Sequence, residues 1–394
     1  MSRASCARPP CAGAHRNTRA NGKTNTDRAD EGSEGERRMT QATKTVMRVG
    51  IDLGTNTTVF QANRNGERVR CEQDVVPTIV GYPKAGILPG ILPHDADRLF
   101  GDEAVNYRLH LNLKWPLREG TVDDTSCCRD FLWHIRSRMD PEGECEIWAV
   151  CGAPANAVAE KIKLMRACVV GLFDRVLVIP EPFLAAMGLR EEARLSDSGY
   201  IDPTRHSLIV DIGAGTTDMC LVQGYYPTPD DQVCYPVAGD AVDKMLADRI
   251  RRRWPDLTLS RVTVTQLKER YSCTGSACRE AKVRLFADGK PRVIDIADMV
   301  RESCEILVPV IADGIKTLLK RCDSDSVVSI LQNVILCGGG SAIQGLSEMV
   351  QQTLRNEGYE DATCRTPPDY RRLVAFGAVK IAENVRDDQW QIPM

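Results

Sequence analysis

Two short segments combine a carboxylate with glycines and small hydroxylated residues, and each follows an apolar stretch. They are DLGTNTT at residues 52–58 and DIGAGTT at residues 211–217. A β-hairpin between buried strands requires a glycine, but it does not require a carboxylate beside the core. Backbone N–H groups of such glycine turns, together with Thr and Asn side chains, can bind an oligophosphate. The residue types therefore indicate phosphate binding.

The recurrence of this pattern predicts a duplicated scaffold in which two phosphate-binding turns face each other. Either segment alone is also typical of an ordinary tight turn, and Thr is a good strand residue. Two matched copies between apolar strands favour the phosphate interpretation. Asp52 and Asp211 would then face a shared cation, and Mg²⁺ suits them because it prefers oxygen ligands and retains several waters. We expect both aspartates to hold Mg²⁺ through water.

Residues 337–346, CGGGSAIQGL, form a third candidate segment. Three consecutive glycines after an apolar strand allow a flat ligand to approach the backbone closely. The segment does not match the G-x-G-x-x-G pattern of a Rossmann turn, which would also open such a fold rather than close it. The sequence contains no G-x-x-x-x-G-K-[ST] motif, which excludes a P-loop enzyme.

The composition limits the class of protein. The 394 residues are 43% hydrophobic, which allows a sizeable core and two domains of ordinary size. A net charge of −3 gives no overall attraction to nucleic acid or membrane. No run of 18 apolar residues is present, and no apolar segment follows the N-terminal arginines as in a secretory signal. We therefore expect a cytoplasmic protein without a nucleic-acid partner and without direct membrane insertion.

The sixteen cysteines are irregularly spaced and include no C-x-x-C pair. This spacing does not supply the ligands of a tetrahedral zinc site. Cys151, Cys220 and Cys337 lie in apolar runs, where cysteine behaves as a small core residue. We expect reduced thiols throughout, because long cytosolic chains rarely form disulfides.

The first 45 residues contain no Val, Ile, Leu, Phe, Tyr or Trp. Such a segment cannot bury enough apolar surface to offset its ordering entropy, which predicts a disordered extension over residues 1–45. A translation start at Met39 would equally explain this composition.

After residue 45 the pattern is mixed α and β. The predicted strands include 46–52, 57–62, 146–151, 206–211 and 219–223. The predicted helices include one from Pro154 to about Leu172, one over 240–253, and a long amphipathic helix over 297–321. Asn65-Gly66 and Asp288-Gly289 predict hairpin turns.

The ordered set DLGTNTT, IPEPFLAAMG, DIGAGTTD and GGGSAIQGL resembles the signature of the actin-like ATPase superfamily. The resemblance covers about Val46 to Val385. Within the superfamily the chain resembles the bacterial actins of the MreB and MamK type, and most of all the MamK type that forms magnetosome filaments. TIVGYPK (78–84), GDEA (101–104), WPLREG (115–120) and SILQNVILCGGGS (329–341) carry that likeness.

The resemblance implies a duplicated two-domain α/β fold, actin-like or ribonuclease H-like, with a nucleotide cleft between the halves. Domain I would comprise 46–190 and 374–388, with a small subdomain inserted at about 78–118. Domain II would comprise 191–373, with a small subdomain at about 238–296.

The resemblance also assigns site residues. The first phosphate loop is Gly54, Thr55, Asn56 and Thr57, and the second phosphate loop is Gly213, Gly215, Thr216 and Thr217. The adenosine-packing residues are Gly338, Gly339 and Gly340. Glu181 falls at the position of the carboxylate that orients the attacking water, and Asp211 joins it as a catalytic residue. These residues imply ATP and Mg²⁺ as cofactors.

One segment departs from the family pattern. In TQLKERYS (265–272), Lys268 and Ser272 match the helix that contacts the nucleoside, but Thr265 stands where the family usually has Glu. Lys268 is a nucleotide-binding candidate, and a solvated lysine on an exposed helix is the alternative. The preference for ATP over GTP stays open.

Four functional classes are compatible with the fold that the resemblance implies. The first is a filament that hydrolyses ATP and adds subunits head to tail, with itself and magnetosome-associated proteins as partners and a cytoskeletal location. The second is an MreB-type cell-shape filament, for which the apolar run GILPGILP (86–93) is the one candidate membrane loop. We instead expect this run to lie in the small subdomain's core or in a longitudinal contact. The third is a non-polymerising Hsp70-like switch. A sugar kinase is disfavoured because no dedicated substrate insertion is visible.

Overall fold

A computed structural model describes residues 44–392 except 156 and 158. The extension predicted over residues 1–45 lies almost wholly outside the described residues, as does the alternative start at Met39. No helix in the part that the structure describes combines the length and apolarity needed to cross a bilayer.

The strands of the described residues fall into two main sheets and three small ones. In chain order they are β1 (Val46–Leu53), β2 (Thr57–Arg64), β3 (Glu67–Val69), β4 (Val75–Pro77), β5 (Val80–Pro83), β6 (Leu99–Phe100), β7 (Leu111–Lys114), β8 (Leu117–Arg118), β9 (Thr121–Val122), β10 (Glu146–Ala153), β11 (Arg175–Pro180), β12 (Ser207–Ile212), β13 (Thr217–Val222), β14 (Gln232–Tyr235), β15 (Lys282–Ala287), β16 (Lys290–Asp295), β17 (Val334–Cys337) and β18 (Cys364–Arg365).

The helices pack on both faces of the main sheets. They are α1 (Gly101–Asn106), α2 (Thr125–Met139), α3 (Ala159–Val169), α4 (Glu181–Leu189), α5 (Gly239–Arg253), α6 (Arg261–Tyr271), α7 (Ala297–Cys304), α8 (Leu307–Leu319), α9 (Ser324–Leu331), α10 (Leu346–Asn356) and α11 (Leu373–Asn384).

The two main sheets have the same topology. The first sheet has the order β3-β2-β1-β10-β11, with β4 also paired to β2, and the second sheet has the order β14-β13-β12-β17-β18. In both, the first three strands pair antiparallel and the last three pair parallel. The predicted duplication is therefore confirmed. Each predicted phosphate loop joins the two corresponding strands of its sheet, β1 to β2 and β12 to β13.

Two of the three small sheets in the described residues lie within the segments predicted as small subdomains, and the β8–β9 sheet extends beyond residue 118. Strands β5, β6 and β7 form a three-stranded sheet, and β15 pairs with β16 around the predicted Asp288-Gly289 turn. The domain boundaries stay a prediction. In GILPGILP, Leu92 is buried as expected for a core residue, whereas Leu88 is 70% exposed and Ile91 is also exposed.

Helices α4 and α11 lie between the two sheets and touch at backbone distance. A Cβ atom added to Gly377 would lie 1.8 Å from the carbonyl oxygen of Leu184, and one added to Gly188 would lie 2.0 Å from that of Leu373. The contact continues into the first sheet, because a Cβ on Gly50 would lie 2.3 Å from the carbonyl oxygen of Ala375. Glycine is therefore a steric requirement at these three positions.

Apolar side chains from both sheets complete this central layer. Val150 and Ile179 of the first sheet share one core cluster with Ile209 and Ile335 of the second sheet and with Leu184 of α4. The outer faces are covered separately, the first sheet by α2 and α3 and the second by α5, α7, α8 and α10. The chain thus forms alternating helical and sheet layers.

Two sequence expectations are wrong. The long helix over 297–321 is two helices, α7 and α8, because Pro309 has no N–H to donate to the carbonyl of Glu305 and interrupts the helical bonding there. The expectation of reduced thiols fails at Cys273 and Cys278, which form a disulfide. Cys151, Cys220 and Cys337 are buried core residues, as predicted.

The α4–α11 contact predicts a large stability difference between two Gly→Ala substitutions. Gly377→Ala should lower the free energy of unfolding by about 2–3 kcal/mol, because its methyl group meets backbone that cannot move aside. Gly199→Ala is the matched control: its Cβ would have only the Asp197 carboxylate oxygen nearby, at 3.5 Å. This control should stay within about 0.5 kcal/mol of wild type. Urea unfolding of the three proteins measures both values, and equal stabilities would contradict the close-packing account.

Candidate functional site

The two hairpin turns open into one cleft between the sheets, with an empty volume of about 1160 Å³. The triple-glycine turn and α6 complete its walls. With one exception, every predicted site residue lines this cleft: Asp52, Gly54, Thr55, Asn56, Thr57, Glu181, Asp211, Gly213, Gly215, Thr216, Lys268, Gly338, Gly339 and Gly340.

The exception is Thr217. Its side chain is fully buried, and its hydroxyl donates a hydrogen bond to the carbonyl oxygen of Val237 at 2.7 Å. It therefore holds β13 against the segment that leads into α5. This placement argues against the predicted direct contact between the Thr217 hydroxyl and a phosphate.

The first and second phosphate loops approach closely across the cleft. A Cβ added to Gly215 would lie 2.7 Å from the Thr55 Oγ1 atom and from the backbone nitrogen of Gly120. The Gly120 N–H donates to that same Oγ1 atom at 3.0 Å. Glycine at position 215 is therefore needed for the two loops to reach this spacing.

Four buried carboxylates of the described residues lie in and beside the cleft, and burial raises the pKa of each. The pKa of Asp52 rises to about 7, and that of Asp218 rises to about 6. The pKa of Asp211 lies well above its usual value, first because of burial and then because of the charges of Asp52 and Asp218. The pKa of Glu181 is raised by burial and by all three aspartates. Buried like charges of this kind favour either protonation or a nearby cation.

The donor set fits a hard cation. Carboxylate oxygens are the ligands that Mg²⁺ prefers, and it usually takes only one or two of them, with waters and substrate phosphates completing the shell. In the described ranges, no three His, Cys, Asp or Glu side chains come together as a complete metal cage. The water-mediated Mg²⁺ site of Asp52 and Asp211 stays a prediction, and the pair meets its chemical requirements.

The triple-glycine turn lies against Asp211. Gly338 has a φ of 75°, and a Cβ there would lie 2.1 Å from the Asp211 Oδ1 atom. Its N–H donates to the carbonyl oxygen of Tyr370 at 3.0 Å. Gly340 has a similar steric limit, since its Cβ would lie 2.3 Å from a side-chain carbon of Ile212. Both glycines therefore bring backbone against the strand that carries Asp211.

Lys268 is not a solvated surface lysine, because its side chain is only 12% exposed. Its Nζ atom lies 3.0 Å from the Gly239 carbonyl oxygen and 3.0 Å from the Asp243 carboxylate. Thr265, the departure from the family pattern, donates to that same carboxylate at 2.7 Å. Position 265 of α6 thus carries no carboxylate, and Asp243 of α5 supplies the carboxylate beside Lys268.

The cleft also contains charged residues that the sequence analysis missed. Glu269 of α6 follows Lys268, and Arg371 precedes α11. Glu269 could have been identified from the sequence, because it lies within the TQLKERYS segment. Arg371 had no local signal, since its loop reaches the cleft through the hydrogen bond between Tyr370 and Gly338.

Comparison with known proteins identifies the family. The profile of the MreB/Mbl protein family matches residues 46–388. The chain belongs to the MreB/Mbl family. The actin-like protein MamK of Magnetospirillum gryphiswaldense is 33% identical over 369 residues, covering 92% of this chain and 95% of MamK.

Solved structures of this family place the chain in the actin-like fold. A MamK double helical filament has a TM-score of 0.77 and 32% identity, and the match covers 86% of this chain and all of the filament subunit. A non-polymerising point mutant of MamK bound to AMPPNP has a TM-score of 0.59 and 32% identity over 86% of this chain and 99% of the mutant. The predicted fold and the predicted bacterial-actin family are confirmed.

The raised pKa of Asp52 predicts how stability depends on pH without nucleotide and Mg²⁺. A carboxyl group whose pKa is higher in the folded state contributes stability at low pH, and this contribution is lost as the pH rises through about 7. Asp52→Asn removes the buried charge, so it should melt above wild type at pH 8, by about 2–4 °C per kcal/mol gained. Its advantage should shrink below pH 7, where wild-type Asp52 becomes protonated.

Asp74→Asn is the opposite control. The Arg372 hydrogen bond lowers the pKa of Asp74, so its charge stabilises the fold at pH 8 and its removal should lower Tm. Differential scanning fluorimetry between pH 5 and pH 8.5 measures all three proteins. A wild type as stable as Asp52→Asn at pH 8 would show that the buried charge carries no penalty.

Proposed function

We propose that this protein binds and hydrolyses ATP with Mg²⁺ and polymerises head to tail into filaments. The observation that carries the proposal is the cleft, in which two matched glycine–hydroxyl loops face each other beside buried carboxylates. The match to a MamK filament subunit over its full length supports polymerisation. The AMPPNP complex of the related mutant supports an adenine nucleotide as ligand.

The cleft offers a distinct surface to each part of the nucleotide. Backbone N–H groups and hydroxyls of the first and second phosphate loops would bind the phosphates. The adenosine would lie between Gly338–Gly340 and α6, with Lys268 at the ribose or base. Asp52 and Asp211 would hold Mg²⁺ through water. When bound, Mg²⁺ neutralises charge on the β- and γ-phosphates.

Glu181 would orient the attacking water. It is the first residue of α4, directly after β11, and its side chain lies against Gly152 at the end of β10. Phosphoryl transfer requires little covalent chemistry from the protein, so a positioned water and a neutralised charge supply most of the catalysis. The Glu181 carboxylate would accept a hydrogen bond from the water and align its oxygen with the terminal phosphate.

Head-to-tail addition gives a heterologous interface that does not close, and such interfaces produce open polymers. The nucleotide would contact both sheets at once, so its presence would favour one relative placement of the sheets. A filament that requires this placement would grow when ATP is bound.

The first test is polymer formation by the purified full chain. With ATP and Mg²⁺ it should form filaments that sediment and are visible by negative-stain microscopy. Glu181→Ala should polymerise equally but release phosphate on the order of 100-fold more slowly, because water is no longer oriented. Its filaments should therefore persist longer.

A protein that stays monomeric across concentrations and salts would refute the filament and favour a non-polymerising ATPase switch. Phosphate release by Glu181→Ala at the wild-type rate would refute the catalytic assignment alone.

The cellular role is the finer part of the proposal: the filaments organise or position magnetosomes. The support is the 33% identity to MamK across nearly the whole length of both chains. A fluorescent fusion expressed in magnetosome-forming cells that lack their own filament protein should form a line along the magnetosome chain and restore its order. Patches that follow the cell envelope, with a change of cell shape, would instead indicate an MreB-type cell-shape filament.

A further inference from the structure

Asp218 is a buried carboxylate that the proposed mechanism does not use. It lies on β13 directly opposite Asp211 of β12, and only 2% of its surface is exposed. Its Oδ1 atom accepts a hydrogen bond from the backbone N–H of Ala155 at 2.7 Å. The side chains of Thr216, in the second phosphate loop, and of Cys234, on β14, also hydrogen-bond to it.

The bond to Ala155 crosses from the second sheet to the first. Ala155 lies two residues beyond the end of β10, and the terminal residues of β10 pair with Ile179 and Pro180 of β11. Glu181 follows immediately, at the start of α4. The hydrogen bond therefore joins β13, which continues from the second phosphate loop, to the strand end that supports Glu181.

The support of Glu181 by this strand end is direct. A Cβ added to Gly152 of β10 would lie 2.8 Å from the Glu181 Cγ atom and 3.4 Å from its Oε1 atom. Any displacement of the end of β10 relative to β13 would thus move the Glu181 carboxylate relative to Gly213–Thr216, where the terminal phosphate would bind.

We propose that Asp218 is a positioning residue for ATP hydrolysis, which fixes Glu181 relative to the second phosphate loop through its hydrogen bond to Ala155. This inference rests on the proposed function. The positioning requires only an oxygen that accepts the hydrogen bond from Ala155. Asn keeps such an oxygen at the same place, so Asp218→Asn should preserve the function. Ala removes the acceptor and leaves the Ala155 N–H without its partner.

The test compares Asp218→Ala and Asp218→Asn with wild type in steady-state ATP hydrolysis. Asp218→Ala should lose on the order of 10–100-fold in kcat, because a small misplacement of a catalytic group has effects of this size. Its KM for ATP should stay within about threefold, since the residues predicted to bind the nucleotide are intact. Asp218→Asn should retain kcat within about threefold of the wild-type value, because its side chain keeps the acceptor oxygen.

Asp231→Ala is the matched control. Asp231 is also buried, and its carboxylate also accepts a backbone hydrogen bond, from the Thr228 N–H at 2.8 Å. It precedes β14 and does not line the cleft. Asp231→Ala removes a buried aspartate that has no link to Glu181. It should therefore leave kcat near the wild-type value, even if Tm falls.

Hydrogen exchange at the Ala155 amide directly reports whether its hydrogen bond to Asp218 is formed. This amide should be protected in wild type and Asp218→Asn and exchange rapidly in Asp218→Ala. A normal kcat for Asp218→Ala, or an equal loss of kcat in Asp218→Asn, would refute the proposal. If Asp218→Ala does not fold, Asp218→Asn decides: a normal kcat with a protected amide supports the role, and any other result refutes it.

The exchange measurement also separates two failures. A wild type that hydrolyses no ATP would refute the proposed function, whereas rapid exchange of the Ala155 amide in folded wild type would refute the positioning bond.

Discussion

The backbone contact between α4 and α11 is the constraint on which the rest of the molecule depends. Two glycines, Gly188 and Gly377, let the helices touch without intervening side chains, and Gly50 continues the contact into the first sheet. Lys380 of α11 reinforces it by donating to the Met187 carbonyl oxygen at 3.1 Å, at the end of α4. Because both sheets pack on this helix pair, its thickness sets the distance between them.

The distance between the sheets sets the width of the cleft. Each sheet contributes one loop of its own, and neither loop alone surrounds a ligand. The carboxylates of Asp52 and Asp211 come from different sheets and oppose each other electrostatically, since the charge of Asp52 raises the pKa of Asp211. Packing of the central layer therefore holds together groups that repel when ionised. A cation and a polyphosphate between the loops would turn this repulsion into attraction.

Local patterns predicted core strands and the two phosphate loops, and the resemblance to the actin-like ATPases supplied the rest of the predicted fold and site. Apolar runs predicted core strands in both sheets, and the repeated Asp–Gly–hydroxyl segments predicted a duplicated scaffold. The triple glycine predicted that a flat ligand can approach the backbone closely, which stays a prediction; the structure shows that Gly338 also lies against Asp211. Each of these signals is a short run of residues, so it could be recognised without the completed fold.

The failures have different causes. The break between α7 and α8 had a local signal, Pro309, which the strong apolar periodicity on either side outweighed. Partners distant in the chain left no such trace: the bond between Ala155 and Asp218, the pairing of Lys268 with Asp243, and the link from Tyr370 to Gly338 all depend on the completed fold. Thr217 lies outside the cleft because loop and strand share its motif, and the strand begins at that residue.

The contact of Gly215 with Thr55 and Gly120 has a thermodynamic consequence. At this point a methyl group on Gly215 would overlap Thr55 and Gly120, so the two loops cannot approach further here. A ligand that spans both loops would favour this spacing of the two sheets. Linkage is reciprocal, so in the proposed filament a neighbouring subunit that favours the same spacing would raise nucleotide affinity by the same factor by which nucleotide raises affinity for the neighbour.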